Sequence, residues 1–245
     1  MFERPHHRHI ATLLEALDAS LLEANACWFG GGTAITLKYG EFRESVDVDF
    51  LVSDVAGYRT LRQRLIGPHG MRALLRAGAA VAQARELRAD QYGVRTWLDV
   101  AGTVIKLEIV LEGRVALERP AAGDRICGVA CATTLDLAAT KLLANSDRWA
   151  DDSTCSRDLI DLAMMHLDRE TLKRAVAKAS LAYGASIERD LAKAIDGLKR
   201  RRGRLEDCMR ALQMNDLPPG LSPIPLASLW KEIRRLGTPA RRRVW

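Results

Sequence analysis

The chain has 245 residues, of which 48% are hydrophobic and 28% are charged, and this ordinary globular composition excludes a disordered protein. The formal net charge is +6, but the excess is C-terminal, since residues 171–245 hold 17 Lys and Arg against 7 Asp and Glu. Five cysteines without a CxxC pair, and no apolar run near 20 residues, argue against a disulfide framework, a zinc site and a membrane span, and favour the cytoplasm.

Residues 8–25 carry apolar side chains at helical spacing, which predicts one amphipathic helix lying on the core. His6, His7 and His9 stand near its start, where histidines at a chain end are expected to be solvated rather than to bind a metal. The stretch 27–52 then predicts a strand, a glycine turn, a short helix and a second strand. We expect the chemistry of the protein to lie in this stretch.

Between residues 53 and 130 the pattern predicts helices and then a β-meander. Ser53 or Asp54 can cap a helix that ends near Leu65, and a weaker helix follows near 71–76. The strands of the meander, and one further strand, are predicted at 84–89, 94–100, 103–111 and 126–130. The N-terminal half therefore mixes helices with a small sheet.

From residue 133 onward helical signals dominate. Thr133 and Asp136 have the spacing of a capping box for a helix over 134–144. Pro218-Pro219-Gly220 predicts a linker, and further helices are predicted at 157–167, 169–181, 186–201, 204–213 and 226–236. A domain boundary near residue 125 divides the chain into a core, 1–125, and a mainly helical domain, 126–245.

Asp47 and Asp49 open the second strand of the central stretch. Side chains on a strand alternate between its two faces, so the two carboxylates emerge on the same side. Like charges at this separation repel unless a cation lies between them, and adjacent carboxylates are usual ligands of Mg²⁺ with phosphate substrates. A strand end with solvated aspartates is the alternative, but the apolar run Phe50-Leu51-Val52 is typical of a buried strand and favours metal binding.

Gly30, Gly31, Gly32 and Thr33 connect the first strand to the short helix. Glycines let the backbone come close to a ligand, and the N–H groups at a helix start favour a phosphate, with the Thr33 hydroxyl as one more donor. Taken alone, such a turn is equally well structural. Followed by Asp-x-Asp on the next strand, it predicts a phosphate-binding turn at Gly31, Gly32 and Thr33.

These two motifs together resemble a known family. Gly31-Gly32-Thr33-Ala34, followed by Arg43-x-Ser45-x-Asp47-x-Asp49-Phe50, is similar to the first motif of the DNA polymerase β-like nucleotidyltransferase superfamily, in the form found in the AbiEii/AbiGii toxins. Over about residues 25–165 the order and spacing of Lys106-Leu107-Glu108, Lys141, Arg148 and Asp158-x-x-Asp161-Leu162 fit as well. The resemblance implies an α+β fold with a small mixed sheet as nucleotidyltransferase core, flanking helices and a helical C-terminal domain that completes the cleft.

The resemblance also implies roles for single residues. The implied catalytic residues are Asp47, Asp49, Glu108, Lys141, Asp158 and Asp161, of which Asp47, Asp49 and Glu108 would bind metal. The implied nucleotide-binding residues are Gly31, Gly32, Thr33, Arg43, Ser45, Lys141 and Arg148. Two simpler interpretations stay open, because Glu108 shares a strand face with Lys106 and could merely pair with it, and Lys141 could form a salt bridge between helices.

The implied activity is transfer of a nucleotide from an NTP to an acceptor hydroxyl, with Mg²⁺ or Mn²⁺ as cofactor. The protein would be the toxin of a bacterial toxin–antitoxin pair, with an antitoxin as partner and RNA such as tRNA as acceptor. Basic clusters at 199–204 and 241–243 could attract RNA phosphates, although a solvated face explains them equally well. The alternatives are a transferase acting on a small molecule, and a catalytically silent nucleotide-binding module.

Overall fold

The computed structural model describes residues 2–214, which form two compact units, an N-terminal unit of residues 2–137 and a C-terminal unit of residues 138–214. The strands are β1 (Cys27–Gly30), β2 (Val48–Val52), β3 (Ala82–Ala89), β4 (Gly93–Val100), β5 (Thr103–Leu111), β6 (Arg125–Ile126) and β7 (Val129–Ala130). The α-helices are α1 (Pro5–Ala16), α2 (Ala19–Ala24), α3 (Gly31–Lys38), α4 (Val55–Ile66), α5 (Thr134–Arg148), α6 (Arg157–Met164), α7 (Arg169–Tyr183), α8 (Ser186–Arg200) and α9 (Arg204–Ala211). The predicted α+β class is confirmed, while the predicted domain boundary near residue 125 stays a prediction.

Five strands of the N-terminal unit form a mixed sheet in the order β1-β2-β5-β4-β3. β2 and β5 run parallel, whereas the other neighbours are antiparallel. Val48, Phe50 and Val52 on β2 are buried, and so are Leu107 and Ile109 beside them on β5. Because strand residues alternate, the residues between these lie on the other face of the sheet. The predicted meander is confirmed as β3, β4 and β5, and β3 begins two residues earlier than predicted.

The predicted single helix over residues 8–25 is wrong, because the chain breaks between α1 and α2. Leu17 is extended and forms a β-bridge with Leu75, and the N–H of Asp18 donates to the Leu74 carbonyl over 2.9 Å. The Asp18 carboxylate then accepts from the N–H of Leu21 and caps α2. Pairing with a distant segment thus supplies the backbone hydrogen bonds that a continuous helix would have made. Leu74 and Leu75 lie in the weaker helix predicted near 71–76. The structure has a short 3-10 helix at Gly70–Leu74 there instead.

The predicted strand over residues 126–130 is a tight hairpin instead. Cys127 and Gly128 both have positive φ, +48° and +83°, and reverse the chain between β6 and β7. The segment still joins the sheet edge, since the N–H of Ala132 donates to the Phe29 carbonyl over 2.9 Å. The apolar residues Ile126-Cys127 and Val129-Ala130 are compatible with one continuous strand and with two very short ones, so the sequence pattern alone did not predict the hairpin.

The remaining helical signals agree with the structure. Asp54 caps α4 by accepting from the N–H groups of Ala56 and Gly57, and Thr133 caps α5, with the Asp136 N–H donating to Thr133 Oγ1. Helices α6 to α9 occupy the predicted positions to within a few residues. The predicted linker at 218–220, helix at 226–236 and basic cluster at 241–243 lie outside the described residues. Among the helices of residues 2–214, none has the length and apolar character needed to cross a bilayer.

Candidate active site

The aspartate pair stands at the start of β2. Asp47 directly precedes the strand, Asp49 is its second residue, and both are half-buried, whereas Val48 and Phe50 on either side of Asp49 are fully buried in the core. The alternation therefore turns the Asp49 carboxylate away from the core. A charged group at this position keeps access to solvent and to a ligand.

The glycines at the start of α3 lie against Asp49. Gly30 is its register partner on β1, and Gly31 follows with φ +68°, a conformation that disfavours any other residue. A Cβ on Gly31 would also stand 2.9 Å from the Asp49 Cβ, and still closer to one of its carboxylate oxygens. The absence of a side chain at 31 thus makes room for the carboxylate beside the first turn of α3.

Thr33 ties the same helix to Asp47. Its side chain is 1% exposed, and its hydroxyl donates to the Asp47 carbonyl and lies 2.7 Å from Ser45 Oγ. The Thr33 hydroxyl is therefore committed to holding the backbone of the aspartate segment. Phosphate binding by Thr33 and Ser45 stays a prediction.

Arg43 is also buried, with 2% of its surface exposed. Its guanidinium donates to the Glu44 carbonyl over 2.8 Å and lies 5.9 Å from the centre of the Phe42 ring. These contacts describe a residue that shapes the loop before β2. Its contact with a nucleotide stays a prediction.

Glu108 occupies the position on β5 directly beside Asp49 in the parallel ladder. Its two carboxylate oxygens accept from Arg95 Nε at 2.7 Å and from Lys106 Nζ at 2.6 Å. The pairing with Lys106, left open by the sequence, is present, and sequence reasoning missed Arg95. The predicted strands at 94–100 and 103–111 contained the signal, because the two residues left between them, Ala101 and Gly102, form a tight turn that sets Arg95 opposite Glu108.

The carboxylates have the donor chemistry for a hard divalent cation. Asp49 and Glu108 are neighbours across two strands, and Asp47 precedes Asp49 with the same strand parity. Within residues 2–214, however, no three His, Cys, Asp or Glu side chains are grouped closely enough to hold a metal ion as they stand. Metal binding by Asp47 and Asp49, with Glu108 as a third ligand, stays a prediction.

The other predicted residues form a closed ion network inside the C-terminal unit. Lys141 Nζ lies 3.0 Å from Asp158 Oδ1 and 2.7 Å from Asp161 Oδ2, and the Arg148 guanidinium binds Asp158 through both of its oxygens. Lys141 and both aspartates are buried. Burial alone would raise the pKa of Asp158, but the charges of Lys141 and Arg148 outweigh burial and hold this pKa below its usual range. Lys141 and Arg148, predicted to bind nucleotide, thus pair in this structure with Asp158 and Asp161, which were predicted to be catalytic.

An aspartate pair on a mixed sheet, set against a helix that begins with glycines, is the arrangement that the sequence resemblance implies for a nucleotidyltransferase core. The family model described as nucleotidyl transferase AbiEii toxin, type IV TA system, matches residues 12–232, and the chain therefore belongs to that family. The protein is thus a nucleotidyltransferase of a toxin–antitoxin system, which confirms the resemblance seen in the sequence.

Two solved structures are similar to the chain. One is a candidate nucleotidyltransferase from H. pylori, 15% identical, with 94% of this chain and 92% of that chain covered and a TM-score of 0.48. The other is JHP933 from Helicobacter pylori, also 15% identical, with 96% and 93% covered and a TM-score of 0.49. No curated protein matches the sequence significantly.

Proposed function

We propose that Asp47 and Asp49 are the catalytic carboxylates of a transfer in which an acceptor hydroxyl attacks the α-phosphorus of an NTP and pyrophosphate leaves. The observation that carries the proposal is the fit of Asp49 against Gly31, which sets a carboxylate beside the first turn of α3. The N-cap of α3, Gly30, has no side chain to cap the first N–H groups, so these remain suited to phosphate oxygens.

A phosphate beside two carboxylates needs a cation. Mg²⁺, or Mn²⁺, held by Asp47 and Asp49 would neutralise the charge on the phosphates and on the attacking and leaving oxygens. The protein's own part is to leave room for the Asp49 carboxylate at Gly31 and to fix the Asp47 backbone through the Thr33 hydroxyl. Glu108 belongs to the same sheet face by register, and it brings the cations of Arg95 and Lys106 to that face.

We further propose RNA, such as a tRNA, as the acceptor. Support comes from the C-terminal unit, where Trp149 is 36% exposed and lies 5.0 Å from Lys193 Nζ, an aromatic and a cation side by side. Both residues line a cavity of about 190 Å³ together with Arg201 and Arg204. In this structure Arg201 and Arg204 both form ion pairs with Asp152. RNA phosphates would compete with the Asp152 carboxylate for these two guanidinium groups.

The compartment and the second partner follow from the same proposal. An NTP substrate and five cysteines that are free suit a reducing cytoplasm. A toxin of a toxin–antitoxin system is expected to have a cognate antitoxin in the same cell.

The test is transfer of label. The purified protein is incubated with each α-labelled NTP, Mg²⁺ and total RNA, beside Asp49→Asn and a control, Glu86→Gln, which removes an exposed carboxylate from the edge strand β3. We expect label to enter an RNA species with the wild type and with Glu86→Gln, and Asp49→Asn to lose transfer while its circular dichroism is unchanged. Full activity of a folded Asp49→Asn protein would refute the proposed site. Label found only on a small molecule would refute RNA as the acceptor.

A further inference from the structure

His7, on α1, is fully buried in the N-terminal unit, and both of its ring nitrogens have partners. Nδ1 lies 2.7 Å from Glu41 Oε1, and Nε2 lies 3.1 Å from the backbone nitrogen of Ser45. The expectation that this histidine is solvated is therefore wrong. His7 joins the first helix to the loop that leads into β2.

The partners fix the tautomer of the ring. A backbone N–H can only donate, so Nε2 must accept from Ser45 and carry no proton. The proton then lies on Nδ1 and is donated to Glu41, whose carboxylate also accepts from the N–H groups of Glu3 and Arg4. These N–H groups and His7 lower the pKa of Glu41 against the opposing effect of burial, and Glu41 stays charged at neutral pH.

The contact reaches the segment of Asp47 through two further residues, Ser45 and Thr33. Ser45, held by His7 through its backbone, lies with its hydroxyl 2.7 Å from Thr33 Oγ1, and the Thr33 hydroxyl donates to the Asp47 carbonyl. Residues 39–47 form neither helix nor strand, and the ladder of β2 begins only at Val48. On its other side, the Asp47 segment is held by side-chain contacts such as these.

We propose that neutral His7 is a positioning residue of the transfer reaction, because its Nε2 acceptor holds the Ser45 backbone and thereby orients the segment that ends in Asp47. The inference rests on the proposed catalytic role of Asp47 and Asp49. It assigns to His7 a contribution to the rate of transfer, since the contacts that start at His7 end on the backbone of Asp47, a proposed catalytic carboxylate.

The charge state of the ring gives the proposal a second observable. Burial lowers the pKa of His7, Glu41 and Glu44 oppose this shift, and Arg4 adds to it. Protonation at Nε2 would place a donor against the Ser45 N–H. Because the pKa is lowered in the folded state, the contact is complete above pH 6.5 and is lost as the pH falls through the lowered pKa of the folded protein.

Two amide substitutions separate the two nitrogens. In His7→Gln the amide oxygen can occupy the position of Nε2 and accept from Ser45, whereas in His7→Asn the amide reaches only the position of Nδ1 and can donate to Glu41. We expect His7→Asn to lower kcat about 10- to 100-fold with little change in KM for the NTP, and His7→Gln to retain most of the wild-type kcat. His69→Asn, at an exposed histidine of the same unit, is the control and should change neither constant.

Equal kcat in His7→Asn and wild type would overturn the proposal, and so would equal losses in both amide variants when both are folded. Should a variant unfold, the wild type supplies the test: the nitrogen shifts of His7, the amide shift of Ser45 and kcat are followed from pH 7.5 downward. They should change together, and kcat that stays constant while His7 titrates refutes the positioning role. Full activity of Asp49→Asn would instead refute the proposed site, so the two failures are distinguishable.

Discussion

Replacing Lys141 with methionine would test whether the buried ion network of the C-terminal unit is structural. The ammonium group is 8% exposed and lies within 3.0 Å of Asp158 and 2.7 Å of Asp161. Methionine keeps much of the apolar stem but leaves two buried carboxylates, one helical turn apart, without the cation they share. Removing one partner of a buried pair costs about 3–5 kcal/mol, because a buried charge loses its compensation.

The lower end of this range applies here, since Arg148 still binds Asp158 after the substitution. We therefore expect Lys141→Met to lower the free energy of unfolding by about 3 kcal/mol at pH 7. The pKa of Asp158 is lowered in the folded protein, so the contribution of the network is complete above the unfolded value near pH 4 and disappears as the pH falls through the folded value. The difference between variant and wild type should shrink accordingly in acid.

Urea denaturation followed by circular dichroism at several pH values measures this difference. Lys173→Met on α7 removes an exposed lysine and serves as the control, with an expected change within about 0.5 kcal/mol. A Lys141→Met protein as stable as the control but unable to transfer label would refute the structural argument. That result would return Lys141 to the role in nucleotide contact that the sequence predicts.

Two further predictions concern the N-terminal unit and the basic cluster. Gly31→Ala should abolish transfer, because the added Cβ would displace Asp49. The control is Gly102→Ala, where φ is +84° and the surrounding space is open; it should lose only about 1–2 kcal/mol of stability and no activity. Equal transfer rates in the two variants would contradict this prediction. Replacing the arginines at 200–202 with glutamine should weaken RNA binding and flatten its dependence on salt without changing NTP affinity, and an unchanged salt slope in a filter-binding assay would leave the cluster as a solvated face.

Local chemistry explains which parts of the fold could be predicted from the sequence. The capping residues Asp54 and Thr133 act within three residues of their own helices, and the meander alternates over strands joined by short turns. Such patterns need no knowledge of distant segments. The family motif likewise lies in two short, nearly continuous pieces of chain, so the aspartate pair and the glycine turn could be found together.

Distant contacts explain what was missed. The break after α1 exists because residue 17 pairs with residue 75, and His7 is buried because Glu41 and Ser45 come to it from more than thirty residues away. The hydrophobic periodicity of α1 does not predict either contact. The burial of Arg43 was missed for a related reason, since a charged side chain in a loop is expected to be exposed unless the packing around it is known.

The glycine motif and the aspartate motif act together, because residues of the first are in contact with the aspartates of the second. On the first turn of α3, residue 31 has no side chain, which admits the Asp49 carboxylate, and residue 33 has a hydroxyl, which holds the Asp47 carbonyl. One turn of helix therefore positions both aspartates, each by a different means. A glycine-rich turn that served phosphate alone would need no hydroxyl directed at the next strand. Under the proposed function, the spacing between the two motifs serves to position the carboxylates, and the contact of Ser45 with Thr33 ties the loop between them to α3.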